Sequence, residues 1–241
     1  DTLNFWFTPF KMDSILFAIR NENLKISDTF NVKSRKVAFD SLRLSLNQQG
    51  NIEFDKPIKI LVNTPIVSFD STKIKLTDKD TLLVANNLKL DSLKNHLNFD
   101  FKILPNQSYK IELLPGAITD FFDNTNDTVV YNLRTKSKAD YGNLKLNLNA
   151  TTIAFPIIVQ LTNEKGKVER EIFAAESQVF EFNNLNPGKY MARIIFDSNG
   201  NQKWDTGNYL KKIKPEKVSY YPTLIEMRAN WEGNETFNLI D

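Results

Sequence analysis

Five residues in the stretch 197–205 have the spacing to do chemistry. Asp197, Asn199 and Asn201 alternate, Lys203 offers a backbone carbonyl two positions on, and Asp205 follows at the ninth position. Oxygens spaced in this way wrap Ca²⁺ in loops of the EF-hand type. The sixth position, however, is Gln202 where glycine permits the sharp turn, and the twelfth is Asn208 where a bidentate Glu closes the cage. The two remaining carboxylates predict weak calcium binding, in the range of about 10⁻⁴ to 10⁻³ M. An ion-free turn is the competing expectation, because Asn and Asp side chains bond their own backbone and tolerate left-handed conformation. Both readings stay open on spacing alone, and no other cofactor is expected.

Other chemistries find no constellation. The single histidine, His96, follows polar sequence, has no nucleophile signature beside it and reads as a surface residue. Neither a phosphate-cradling glycine loop nor a His-Glu-x-x-His helix is present. With no cysteine, thiolate metal sites, cysteine nucleophiles and disulfides drop out together. Lys plus Arg number 31 against 29 Asp plus Glu, a net charge of +2, too balanced for the counterion release on which nucleic-acid binders depend. The expectation is therefore a protein that is not an enzyme and does not bind nucleic acid.

The elements that must carry the 197–205 loop are strands. Leu42, Leu44 and Leu46 alternate with polar residues, as do Leu97, Phe99, Phe101 and Ile103, then Leu144, Leu146 and Leu148, and Tyr190, Ala192, Ile194 and Phe196. Period-two alternation marks half-buried strands. Leu3, Phe5 and Phe7 show the same rhythm. Turn residues separate these runs at Gly50, Pro115-Gly116, Gly166 and Pro187-Gly188. Sustained helical spacing is nearly absent; Thr81 to His96 has room for one helical turn, although its Asn and Asp content favours loop. Many short strands with such punctuation predict an all-β fold of tandem antiparallel sandwiches. At 241 residues the chain has material for two domains and a fraction.

Two polar patches, at 34–40 and 135–140, suggest boundaries. They divide the chain into residues 1–36, the end of a preceding Ig-like domain, and two sandwiches at 37–137 and 138–241. In the middle block, Tyr109 to Asp120, the loop Asn124 to Asp127 and the run Val129 to Arg134 resemble the end of a bacterial Ig-like domain of the surface-layer-protein type. In the last block, Leu185, Pro187, Gly188 and Tyr190 resemble the approach to a strand in prealbumin-like domains of the collagen-adhesin B type. The Asp/Asn-rich loop after Asp197 is similar to one carried by such domains in Bacteroidota lipoproteins.

A further resemblance is to the O-glycosylation sequon of exported Bacteroidota proteins. Asp followed by Ser or Thr and then an aliphatic or Thr places candidate acceptors at Ser14, Ser41, Ser71, Thr81, Ser92 and Thr128. Asp-Ser pairs are also ordinary turn formers. These resemblances imply an exported lipoprotein at the outer membrane or cell surface. Asp1 opens directly in strand-like sequence, which suggests that a signal or lipid anchor precedes this segment. Membrane association is then expected only through that anchor.

Trp6, Trp204, Tyr220, Tyr221 and Trp231 fit core packing or contact surfaces. Trp204 is expected to cover adjacent strands, Tyr220 to Pro222 to form an edge or crossover, and Lys211, Lys212 and Lys214 to form a solvated strand edge. Two functions compete. One is a structural or protein-interaction module, such as an accessory subunit of an outer-membrane complex for β-barrel assembly, secretion or uptake. The other is a carbohydrate-binding or adhesive module.

Overall fold

The computed structural model describes residues 4–8, 13–23, 25–33, 41–149 and 155–239. Leu3 and the patch at 34–40 lie outside the described residues; Phe5 and Phe7 are seen in chain outside any strand. Two compact units divide the chain, residues 1–135 and 136–241. Both are all-β.

The first unit opens with a hairpin of β1 (Ser14–Asn21) and β2 (Ile26–Lys33). Its register sets Ile15 opposite Val32, Phe17 opposite Phe30 and Asn21 opposite Ile26. Because side chains alternate across a strand, Ile15, Phe17, Ile19, Ile26, Phe30 and Val32 share one face. Phe17 and Phe30 stack with centroids 5.3 Å apart, and Phe5 meets Phe17 edge-on at 5.1 Å.

Two four-stranded sheets follow. One has the order β4 (Gly50–Ile52), β12 (Val129–Thr135), β10 (Ser108–Leu113), β7 (Ile74–Thr77). The other runs β3 (Leu44–Leu46), β5 (Ile58–Val62), β9 (His96–Asp100), β8 (Asn87–Leu90), and β6 (Ile66–Phe69) pairs separately with β11 (Ile118–Asp120). Ile52, Leu76, Ile111, Leu113 and Leu133 from the first sheet and Ile58, Ile60, Leu97 and Phe99 from the second form one buried cluster. Each such side chain contributes about 1.5–3 kcal/mol by leaving water.

Among the described residues of this unit Thr64, Asp120, Asn126 and Thr135 are buried polar side chains, and Asp120 is the one acid. Asp120 is fully buried. Its carboxylate accepts the Thr64 hydroxyl at 2.7 Å, the N–H groups of Phe122 and Asn124 at 2.9 and 2.8 Å, and the Asn124 amide at 3.1 Å. Burial alone would raise this carboxyl; the hydrogen bonds from Thr64, Asn124 and Phe122 together outweigh it and hold the group below its ordinary value.

In the second unit, β16 (Phe180–Leu185), β13 (Gly142–Asn149) and β20 (Glu232–Asn238) form a three-stranded sheet. The facing sheet has β15 (Val168–Ala174), β14 (Ile157–Asn163) and β17 (Gly188–Phe196), with β18 (Val218–Tyr220) and β19 (Ile225–Met227) both pairing β17. Leu144, Leu146, Phe180, Phe182 and Phe237 meet Val159, Leu161, Ala192 and Ile194 in its core. Residues 138–140, just after the division between the units, form a single 3₁₀ turn held by a Ser137–Asp140 capping box.

The sandwiches depart from the antiparallel expectation in two places. β12 pairs β4 in parallel, and β13 pairs β20 in parallel. Parallel neighbours need a long crossover between them, and here the strands that lie between β4 and β12, and between β13 and β20, make it up. The helical turn considered at 81–96 is also absent: the segment holds β8 and a turn in which the Asp91 carboxylate accepts the N–H groups of Leu93, Asn95 and His96. Three backbone donors aimed at one carboxylate make an Asx-type turn that competes with helix.

Candidate interaction surface on the 197–217 loop

The loop between β17 and β18 begins at Asp197, which is fully buried. Its two carboxylate oxygens accept the N–H groups of Asn201 at 3.1 Å and Gln202 at 2.8 Å. Asn199 Oδ1 accepts the N–H of Asn201 at 3.0 Å, and Asn201 Oδ1 that of Lys203 at 2.8 Å. Asp205 Oδ2 accepts the side-chain amides of both Asn199 and Asn201, the latter at 3.0 Å. The structure thus brings Asp197, Asn199, Asn201 and Asp205 into one hydrogen-bonded network. Gln202 takes the sharp turn with φ of 62°, in the left-handed region, where a calcium loop of this spacing has glycine. Among the described residues, no three His, Cys, Asp or Glu side chains group as a metal site.

The closing acid is one the loop spacing did not point to. Glu216 Oε1 accepts the Ser198 N–H and hydroxyl at 2.8 and 3.0 Å, and Oε2 accepts the Asp205 N–H at 3.1 Å. Its position as the one acid among Lys211, Lys212, Lys214 and Lys217 is the only sequence signal for it. The Trp204 indole donates to the Glu216 carbonyl at 3.3 Å, and the ring is about half exposed.

On this base stands a finger. Asn208 and Ile213 exchange both backbone hydrogen bonds, at 2.9 and 3.0 Å. Asn208 Oδ1 also accepts the Lys211 N–H, and Lys212 closes the turn with φ of 54°. Gly207 allows the two legs to meet: a Cβ there would lie 2.6 Å from Pro215 N and 2.7 Å from the Ile213 carbonyl. At the tip, Tyr209 is 96% exposed and Leu210 91%. Lys211, Lys212 and Lys214 therefore lie on a projecting loop and not along a strand edge.

The remaining expected residues are placed as follows. Ser14, Ser41, Ser71, Thr81, Ser92 and Thr128 are all exposed, at the start of β1, before β3, in the 3₁₀ turn at 71–73, in two turns and before β12. The aspartates ahead of Ser71 and Ser92 staple turns: Asp70 accepts the Thr72 N–H and hydroxyl, at 3.0 and 2.6 Å, and Asp91 acts as described above. His96 is partly exposed at the start of β9; its Nδ1 lies 2.6 Å from Asn95 Oδ1 and its Nε2 3.4 Å from Lys59 Nζ. Tyr220 ends β18. Tyr221 donates its hydroxyl to Glu235 at 2.7 Å, and that bond, with burial, pushes the phenol up to about 12.

The chain matches no protein-family model and no curated protein. Among solved structures it is similar to native alpha-2-macroglobulin from Escherichia coli, with 10% identity and a TM-score of 0.36 over 75% of this chain and 71% of that one. It is also similar to the major pilin subunit of Bacillus cereus, with 13% identity and a TM-score of 0.26 over 95% and 78%. The Bacillus anthracis TIE protein shows 11% identity and a TM-score of 0.26 over 85% of this chain and 41% of that one. Similarities at this level assign neither a family nor a function.

Proposed function

We propose that this chain is a non-catalytic β-sandwich module of an exported cell-surface protein and that it works by binding other proteins. The observation that carries this reading is the apolar face of the β1–β2 hairpin. Ile26, Phe30 and Val32 on that face are 54%, 43% and 44% exposed; Asn21 and Asp28 lie at its end, and the opposite face sets Ser14, Arg20, Ser27, Thr29, Asn31 and Lys33 around Ala18 and Leu16, the latter 72% exposed. A two-stranded hairpin is marginal by itself, and such a face is half of a sandwich interface that another sheet completes. A second β-sheet with its own apolar face is the occupant we propose for it. The six exposed Asp-Ser/Thr acceptor residues support the export reading. The reading is tested by isolating the native protein from detergent-solubilised membranes, beside Ile26→Lys/Val32→Lys. Partners present with the unaltered chain and lost with the variant support it; partners unchanged in the variant contradict it.

A second reading has its own observation. Ser219, Tyr220, Tyr221, Pro222, Thr236 and Asn238 line a shallow groove of about 340 Å³ with Tyr220 more than half exposed. Exposed rings beside hydroxyl and amide groups suit saccharide stacking. A change in tryptophan and tyrosine fluorescence on adding saccharides, lost in Tyr220→Ala, would favour this reading; no response across neutral and acidic glycans would remove it.

A further inference from the structure

The finger at 208–213 has a combination of properties that the sandwich fold does not require. Tyr209 and Leu210 are the two most exposed large apolar residues described in the chain, at 96% and 91%, and they sit side by side at the tip of a turn. Ile213, one leg lower, is also exposed. Leaving such side chains in water is unfavourable unless something else covers them.

Charge defines what that covering is. From Thr206 to Pro215 the loop holds Lys211, Lys212 and Lys214 and no acid, a local charge of +3 in a chain whose total is +2. None of the three lysines forms an ion pair among the described residues. The acids at the base, Asp205 and Glu216, are engaged with Asn199, Asn201 and Ser198 and face the loop network. An apolar tip collared by unpaired cations is complementary to a layered surface, with negative charge outside and hydrocarbon beneath.

We propose that the Asn208–Ile213 finger docks on an anionic lipid surface. Tyr209 and Leu210 enter the headgroup region, where an aromatic ring with a polar end is favoured, and Lys211, Lys212 and Lys214 meet lipid phosphates. A protein groove is the less suitable occupant, because lysine is depleted from the cores of protein interfaces and the tip is convex with nothing on it to fill a pocket beyond two side chains. The rigid base serves this role: the paired backbone bonds of Asn208 and Ile213 and the close approach at Gly207 hold the tip away from the sheet. This inference does not depend on what covers the β1–β2 hairpin.

The test is flotation of the full chain with vesicles of phosphatidylglycerol and phosphatidylcholine, beside vesicles of phosphatidylcholine alone. Binding to the anionic vesicles is expected at about 0.05 M salt, at least tenfold weaker to the neutral ones, and mostly lost at about 0.5 M salt, where charges are screened within a few ångströms. Tyr209→Ala/Leu210→Ala and Lys211→Glu/Lys212→Glu should each weaken binding on the order of tenfold or more. All these positions are exposed, and matching thermal melts verify that the variants fold. No flotation with anionic vesicles at low salt would overturn the proposal, as would equal flotation of the unaltered chain and both folded variants. Capture of the finger by an acidic protein without vesicle affinity would replace it with a protein groove.

Discussion

Asp205 and Glu216 clasp each other twice: the Asp205 N–H donates to Glu216 Oε2 and the Glu216 N–H donates to the Asp205 carbonyl, each at 3.1 Å. This pair joins the calcium-spaced half of the 197–217 loop to the strand that follows it. Because Glu216 also takes both donors of Ser198, removing its carboxylate leaves three donors without their partner. Glu216→Ala is expected to destabilise the second unit by about 0.5–1.5 kcal/mol. Urea unfolding reads the loss, and faster hydrogen exchange at Ser198 and Asp205 would localise it; unchanged exchange at both would show that the clasp is not formed.

The same network bears on metal removal. Its oxygens already accept N–H donors from the protein, so the loop is expected to keep its shape without an ion. Over the affinity two carboxylates allow, about 10⁻⁴ to 10⁻³ M, calcium at about 1 mM would add about 0.4–1.4 kcal/mol, or roughly 2–8 °C in melting temperature. Chelation with EDTA is therefore expected to leave the melting temperature within that margin. A larger drop would mean that the cage oxygens hold an ion tightly after all.

Gly207 tests the finger's base. Its φ of 79° and the close approach of Pro215 and Ile213 leave no room for a side chain. Gly207→Ala should cost about 1–2 kcal/mol, mostly local. Amide exchange at Asn208 and Ile213 should rise while protection in β17 and β20 persists. An alanine variant with native protection at both finger amides would contradict the geometry.

Acid stability tests the first unit. The Asp120 carboxyl is depressed below its unfolded value of about 3.9. A depressed carboxyl contributes stability that is fully present above the unfolded value and is lost as the pH falls through the folded one. Asp120→Ala should therefore cost about 2–4 kcal/mol at neutral pH. It should also flatten the decline in stability below pH of about 4, as measured by urea melts down to pH of about 2. An equally steep acid limb in the variant would place the titrating groups elsewhere.

Much of the fold is legible in the alternating runs because one face of each strand is buried. Leu97 and Phe99 in β9, Leu144 and Leu146 in β13, and Ala192 and Ile194 in β17 are all core residues. The alternation does not reveal β14, whose Ile157, Ile158, Val159, Gln160, Leu161 and Thr162 are buried on both faces. Nor does it announce β8, where only Leu88 and Leu90 alternate with Asn87 and Lys89. The parallel pairs are invisible locally, since Asn143 and Glu232 pair across 89 residues. At the loop, spacing identified Asp197 to Asp205 as one network, but Glu216 comes from beyond the finger and obeys no local period. The lysines were readable as charged, yet only the Gly207 approach and the Asn208–Ile213 bridge turn them into the collar of a projecting tip.

The apolar face of the β1–β2 hairpin is the surface on which binding another protein depends. Photo-crosslinking in cells from a benzoylphenylalanine at Val32 tests this directly, with Asn31, its neighbour on the polar face, as control. Discrete protein adducts from position 32 and few from position 31 are the expected result. Equal labelling from both positions, or none from position 32, would contradict it.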